Sequence, residues 1–397
     1  MGINEKVMGV QGRLQKLNID GWLLYDFQGN NSLARQFLEI PPAKHLTRRF
    51  FYWIPSRGEP VQVVHEIEPQ ALEHLPGEKR VYLRWQTLEA ILQELLKSSC
   101  IVAMEYSRRC AVPYVSKIDA GTVELVKECG VEVVSSDAIL QYYNCVLSEH
   151  QVQSVKDAAE VIEVALQSAW GAIRVALQSG AVITDCDVQK LILKVFEEHD
   201  CLTDSPPHCA INEDSADPHF SPDSSKPVPI RFGDFILIDL WCKKKVFGAV
   251  YADVTRVGVA ATEPSKKIQE VFSIVRQAQK TATEFICRRF AENKEVKGFE
   301  VDEVCRKVIA DAGYGKFFTH RTGHNICTDL HGPGTHLDSL ETYDDRPLLK
   351  GTCCSCEPGI YLPREFGVRL ENDVYIDKNG EVHIFGGEQE EVKTLVE

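Results

Sequence analysis

The sequence predicts two domains: an α/β amino-terminal domain over residues 1–147 and an α+β domain with an antiparallel sheet over 148–397. Three observations predict this. Apolar runs and helical stripes alternate up to about residue 140, as in an α/β layer. Ser148 then opens one uninterrupted helical stretch that ends at Gly180. Beyond it, strand-like runs cluster at 234–260 and 352–385, with two helical stretches between them. A chain of 397 residues is long enough for two or three domains, each with its own core.

Each element has a local signature. Residues 4–17 carry an amphipathic helical pattern. GWLLYDF (21–27) reads as a strand and is followed by the polar turn at 29–31. RFFYWIP (49–55) and VQVVHEI (61–67) read as strands paired across Arg57-Gly58. LEAILQELLK (88–97) is helical and CIVAMEY (100–106) is a strand. TVELVKECG (122–130) is a helix stopped by glycine, and VEVVSS (131–136) is a strand. In the second domain, Thr184 caps a helix whose Val188, Leu191, Ile192, Val195 and Phe196 form one stripe. Residues 203–229 are rich in Pro, Ser and Asp and read as a long polar loop, a feature that is uncommon inside a compact domain and often functional. Helices are expected at 264–293 and 300–313.

Composition excludes several classes. With 44% apolar and 26% charged residues, the chain is globular rather than disordered. Its net charge of −14 leaves no basic surplus for nucleic acid or an anionic membrane. No apolar run approaches the roughly 18–20 residues that span a bilayer. The first residues lack the apolar core of a secretory signal, and the hydroxyl of a myristoylation signal is missing after Gly2. The 14 cysteines are scattered through apolar runs, which suits buried free thiols in a reducing cytoplasm. Cys353, Cys354 and Cys356 cluster, but no second cysteine pair stands at zinc-finger spacing.

The informative residues are acids inside strands. Asp239 follows Ile236-Leu237-Ile238, and Asp253 sits within the apolar GAVYADVTRVGVA. Glu357 lies against Pro358-Gly359 at a strand end, and Glu371 lies inside the strand run GVRLENDVYI. Burying an isolated charge is costly. Each acid alone could be paired with an arginine or with backbone donors. Four in one domain repel one another unless cations compensate, and a pair of divalent metals supplies that compensation. His324, in HRTGHNICTDLHGPG, is the candidate imidazole ligand, and Gly323 lets the backbone approach closely. Such a donor set suits manganese, cobalt, iron or zinc rather than copper. The sequence has no H-E-x-x-H, no G-x-S-x-G elbow and no phosphate loop.

These residues resemble the pita-bread-fold metallopeptidases: aminopeptidase P, prolidase, methionine aminopeptidase and the metal-free relative creatinase. The family orders its ligands Asp, Asp, His, Glu, Glu. Asp239, Asp253, His324, Glu357 and Glu371 match in order and in local context: IDLW, ADVTR, TGH, EPGIY and GVRLEND. The resemblance covers residues 149–397 well. The first 147 residues are similar, more loosely, to the amino-terminal domain of the aminopeptidase P, prolidase and creatinase branch. Three further histidines match: His219 in Asp-Pro-His-Phe, His320 four residues before His324, and His331 seven after it. His208 and His336 have no assigned counterpart. The two aspartates are fourteen residues apart rather than the usual eleven, through a longer turn in CKKKVFGAVY. Gly332 follows His331 where the family often has an acid, and Asn372 stands where many members carry Asp.

The resemblance implies a pita-bread catalytic domain at 148–397 and a creatinase-like amino-terminal domain. It implies metal-assisted hydrolysis of a peptide bond to proline, in a short peptide, by two divalent ions. Manganese is the expected metal, with cobalt, zinc and iron as alternatives. Glu357 is then ligand and general base. His331 stabilises the oxyanion, His219 binds substrate near the scissile bond, and His320 shapes the pocket of the leaving residue. Strand period puts Arg369 on the face of Glu371, as a cation fixing that carboxylate or as a plain ion pair. A homodimer in the cytoplasm is also implied. Other readings are a different amide hydrolase on the same metal site, a metal-free creatinase-like enzyme, and a non-catalytic binding module like those of histone chaperones.

Overall fold

The computed structural model describes residues 2–41 and 43–396. The chain separates between Asn144 and Cys145 into two units.

The first unit is built on one six-stranded mixed sheet. Its elements are α1 (Ile3–Leu17), β1 (Gly21–Asp26), α2 (Ser32–Phe37), β2 (Phe50–Pro55), β3 (Val61–His65), β4 (Glu78–Tyr82), α3 (Trp85–Leu96), β5 (Ile101–Met104), α4 (Ala120–Lys127), β6 (Glu132–Ser135) and the short α5 (Asp137–Leu140). The sheet order is β4-β3-β2-β1-β5-β6. β1 is buried along its whole length, as a central strand packed on both faces should be. β2 and β3 form the expected antiparallel hairpin across Arg57-Gly58. β4 was not expected from the sequence. Its Glu-Lys-Arg start carries no strand-like apolar pattern, but charge suits a strand at a sheet edge.

The second unit begins with α6 (Glu149–Ser179). Ser148 Oγ accepts from Gln151 N at 3.3 Å, and Gln151 Oε1 accepts from Ser148 N at 3.0 Å, a reciprocal capping box. Gly180 ends the helix at φ 72°, a left-handed position that glycine adopts freely. α7 (Asp185–Glu198) follows, capped by Thr184, with Val188, Ile192, Val195 and Phe196 buried. The strands are β7 (Cys201–Leu202), β8 (His208–Ile211), β9 (Phe235–Lys244) and β10 (Ala252–Val259). After α8 (Lys266–Ala291) and α9 (Gly298–Asp311) come β11 (Asn325–Ile326), β12 (Cys353–Cys356), β13 (Gly359–Leu362), β14 (Phe366–Arg369), β15 (Asn372–Ile376), β16 (Val382–Phe385) and β17 (Lys393–Thr394).

One sheet runs β17-β10-β9-β7, with β8 also on β9. A second runs β11-β12-β15-β16, and β13 pairs with β14. Strand period 2 divides β9 between two cores. Ile236, Ile238, Leu240 and Cys242 pack with α6 and α7, while Phe235 and Leu237 pack with α8 and α9. Asp239 continues the second face. On β10, Val257 and Val259 share the core of α8 and α9, and Asp253 and Thr255 continue that face.

Two expectations need correction. Residues 203–229 are not loop throughout: β8 lies within them, its Cys209, Ala210 and Ile211 buried against β9. A run this short leaves little periodic signal, and its pairing is set by a distant strand. Glu371 is not inside a strand. β14 belongs with β13 and β15 with β12, so the chain changes sheets at Leu370-Glu371.

All 14 cysteines are free. No helix among the described residues is long and apolar enough to cross a membrane.

Candidate metal centre

The antiparallel register of β9 and β10 sets Thr255 opposite Asp239 and Asp253 opposite Trp241. His324 directly precedes β11, Glu357 directly follows β12, and Glu371 stands at the change of sheets. Gly323 is required here. A Cβ at this position would lie 2.0 Å from the Ser355 carbonyl oxygen on β12. Gly323→Ala is therefore expected to push His324 away from β12 and to cost about 1–3 kcal/mol by overpacking, read as a lower urea midpoint with an unchanged slope.

The structure brings all five side chains named from the sequence into one connected cluster. His324 Nε2 lies 3.6 Å from Asp253 Oδ2 and 3.5 Å from Glu357 Oε1. Donor atoms of Asp253, His324 and Glu371 lie within 4.8 Å of one another. Thr255 Oγ1 is 2.6 Å from Glu371 Oε2 and 3.0 Å from Asp239 Oδ1, linking the two carboxylates. Ser355 Oγ donates to Glu357 Oε1 at 3.1 Å and accepts from His324 N at 2.9 Å, which fixes both relative to β12. Asp239, Asp253, His324 and Glu371 are buried, and Glu357 is half-buried.

Arg369 is a buried cation in direct contact with the cluster. It donates to Asp239 Oδ2 at 2.5 Å, Thr255 Oγ1 at 3.0 Å, Tyr361 Oη at 3.1 Å and the Pro218 carbonyl at 3.2 Å. Its Nε is 4.0 Å from Glu371 Oε2. Burial would raise the Asp239 carboxyl, but Arg369, with His208 and Thr255, holds it down at about 2. The neighbouring arginines do not offset all four acids. Burial, then Glu371 and Asp239, push Asp253 well above the usual carboxylate range. Burial and Glu357 do the same to Glu371. Burial pushes Glu357 up to about 7 against the pull of Arg369 and Arg321. His324 is driven well below its usual value by burial and then by His331, which favours the neutral imidazole that binds metals.

These residues fit a divalent cation. Asp253 Oδ1 is buried without a hydrogen-bond partner, and an unsatisfied carboxylate oxygen in a carboxylate-rich, one-imidazole set is a hard-metal donor.

The other histidines frame the cluster. The His331 ring meets the His324 ring edge-on at 4.3 Å between centroids. His219 is exposed; its N–H donates to Asp217 Oδ1 at 3.0 Å, and the preceding carbonyl is held by Arg369. His320 Nε2 is 2.7 Å from Tyr361 Oη, and burial followed by Arg369 lowers this imidazole to about 3. His336 is fully buried, its Nδ1 accepting from Asn325 N at 3.1 Å.

Sequence reasoning missed three residues of this cluster. His208 Nδ1 lies 3.5 Å from Asp239 Oδ2, carried there by β8, whose register sets His208 opposite Asp239. Thr255 shares a strand face with Asp253, so the two-residue spacing in Asp-Val-Thr was a usable signal. Tyr361, bonded to both Arg369 and His320, left no such signal.

The profile of metallopeptidase family M24 matches residues 153–378. The chain is 30% identical over 235 residues to a Xaa-Pro dipeptidase of Lactobacillus delbrueckii subsp. lactis, covering 59% of this chain and 58% of that protein. It is 28% identical over 272 residues to a Xaa-Pro dipeptidase of Pyrococcus horikoshii, covering 67% and 70%. Among solved structures, dipeptidase PepE from Mycobacterium ulcerans superposes with a TM-score of 0.75 at 20% identity, over 100% of this chain and 98% of that one. Recombinant prolidase from Thermococcus sibiricus superposes with a TM-score of 0.67 at 21% identity, over 99% of each chain. The structural likeness spans the whole chain and establishes the pita-bread fold.

Proposed function

The chain belongs to metallopeptidase family M24, and we propose that it hydrolyses the peptide bond between an amino-terminal residue and proline in short peptides. In this reading residues 148–397 are the catalytic domain. Asp239, Asp253, His324, Glu357 and Glu371 hold two divalent metal ions, manganese by preference. The carrying observation is the convergence of four carboxylates and one imidazole into one cluster, in which Asp253 Oδ1 is buried without a hydrogen-bond partner. The Xaa-Pro dipeptidase relatives supply the substrate class.

When bound, the cations lower the pKa of a water molecule so that it acts as nucleophile near neutral pH. The chain's own residues do the rest. Glu357, oriented by Ser355, takes the proton released as the water attacks and delivers it to the departing nitrogen. His331, held against His324, donates to the carbonyl oxygen as negative charge develops there. Arg369 fixes both Asp239 and the Pro218 carbonyl, which places His219 to hydrogen-bond the substrate. His320, held by Tyr361, forms a wall for the proline ring. Proline lacks an N–H, so its site needs shape rather than an acceptor. A homodimer and a cytoplasmic location complete the reading, the latter supported by the fourteen free thiols.

The test compares kcat/KM for Ala-Pro and Ala-Pro-Ala against Ala-Ala and Ala-Ala-Ala, with manganese, cobalt and zinc supplied separately. The expected preference for proline is at least about tenfold, or about 1.4 kcal/mol of transition-state discrimination. A smaller ratio removes the prolyl assignment and leaves a metallopeptidase of other specificity.

A further inference from the structure

The loop that joins His324 to His331 is held from outside by the hairpin that carries the two aspartates. Within the loop, Gly332 N donates to the Asn325 carbonyl at 2.8 Å and Cys327 N to the Asp329 carbonyl at 3.1 Å. Ile326 and Leu330 are buried, Thr328 is half-buried, and Asp329 and His331 are exposed. The loop thus projects from its apolar anchors, and its outer carbonyls need donors. Two donors come from the ends of β9 and β10. Tyr251, two residues before Asp253, donates its N–H to the Cys327 carbonyl at 3.2 Å. Lys243, four residues after Asp239, donates through Nζ to the Thr328 carbonyl at 2.6 Å. Ala252 pairs with Cys242, so the next step of that register sets Tyr251 beside Lys243, and Nζ lies 4.4 Å from the centre of the Tyr251 ring. Ring and carbonyl together hold the ammonium group. The lysines that follow go elsewhere: Lys244 donates to the His199 carbonyl, and Lys245 is exposed.

An oxyanion donor works only within hydrogen-bond reach of the developing charge, about 2.7–3.1 Å. A misplacement of about 1 Å can cost about a hundredfold in rate. His331 stands three residues beyond the carbonyl that Lys243 holds, on an exposed stretch of chain. We propose that Lys243 is a positioning residue that sets the His331 loop against the scissile carbonyl, an inference that rests on the oxyanion role given to His331 above. Lys243 belongs neither to the metal-ligand set nor to the groups placed on the substrate, so it acts through His331.

The experiment is a double-mutant cycle on the metal-loaded protein, with whichever of the four alanyl peptides it cleaves best. Lys243→Met keeps an unbranched stem over Tyr251 and removes the donor. It is expected to lose about tenfold in kcat with KM within about twofold, because the interaction is made in the transition state, and to keep the metal content of the wild type. Lys243→Gln, a polar replacement at a half-buried position, should behave alike. Lys243→Arg can still donate to the carbonyl and stack on the ring, and should recover most of the rate. His331→Ala should lose about a hundredfold. In that background Lys243→Met should cost less than a further twofold, whereas a merely structural lysine would give losses that add. In the metal-stripped protein, amides of residues 326–332 should exchange faster in Lys243→Met, with β9 and β12 unchanged. Additive losses, an unchanged kcat in Lys243→Met, or unchanged exchange over 326–332 overturns the positioning role by itself. If His331→Ala keeps its rate, the oxyanion role falls and takes this inference with it.

Discussion

Asp253→Asn is expected to lose metal and more than about a hundredfold in kcat/KM, beyond the 10–100-fold typical of residues that only support a ligand. The same variant, stripped of metal, should melt no lower than the stripped wild type. Both follow from one cause. Burial and then Glu371, Asp239, Asp373 and Glu357 hold the Asp253 carboxyl well above the usual range. A carboxyl raised in the folded state contributes stability that is present below its unfolded pKa and lost as pH rises. Removing that group removes the loss, so the stripped variant should gain on the stripped wild type as pH climbs from about 5 to about 8. Comparing the two proteins cancels the opposing contribution of His320, whose lowered value favours the neutral ring and weakens the fold on acidification. Metal reverses the order. At a free metal concentration of about a hundred times Kd, the wild type gains about 2.7 kcal/mol, which a variant with a damaged site cannot match. Calorimetry with chelator and with manganese, together with metal counting by mass spectrometry, decides the matter. A variant that keeps two metals per chain and full turnover contradicts the assignment.

The same acids explain what was legible in the sequence. A carboxylate set in or at the end of an apolar, strand-like run violates the binary pattern, and such violations mark functional sites. Asp239, Asp253, Glu357 and Glu371 announced themselves this way, and each stands in the cluster. The helices were equally readable because their signals are local: Ser148, Thr184 and Gly180 cap where the stripes begin and end. What escaped was non-local. β8 is four residues long, and only its register with β9 brings His208 to Asp239. Glu371 reads as part of a continuous strand, because nothing within GVRLENDVYI says that its two halves join different sheets.

Arg369→Ala is expected to destabilise the metal-stripped protein by about 3–5 kcal/mol, the cost of breaking a buried ion pair by deleting one partner. The side chain serves four acceptors from four places in the chain, and in its absence Asp239 is left buried without its nearest cation. In the loaded enzyme the loss should be smaller, because the metals neutralise the same carboxylate. The acid limb carries a separate signature. Asp239 is depressed in the fold from 3.8 to about 2, so it contributes stability that is present above the unfolded value and lost as pH falls through the folded one. That contribution, about 2 kcal/mol, disappears with Arg369, and the variant should unfold at higher pH on acidification. Arg369→Lys separates charge from geometry. An ammonium group can still face Asp239, so much of the stability should return. It lacks the guanidinium fork that reaches Thr255, Tyr361 and the Pro218 carbonyl together. The loop bearing His219 then loses its anchor, and kcat/KM for Ala-Pro should stay well below wild type although the fold has recovered. If Arg369→Lys restores turnover along with stability, Arg369 acts through its charge alone, and the positioning of His219 must be sought elsewhere in the loop.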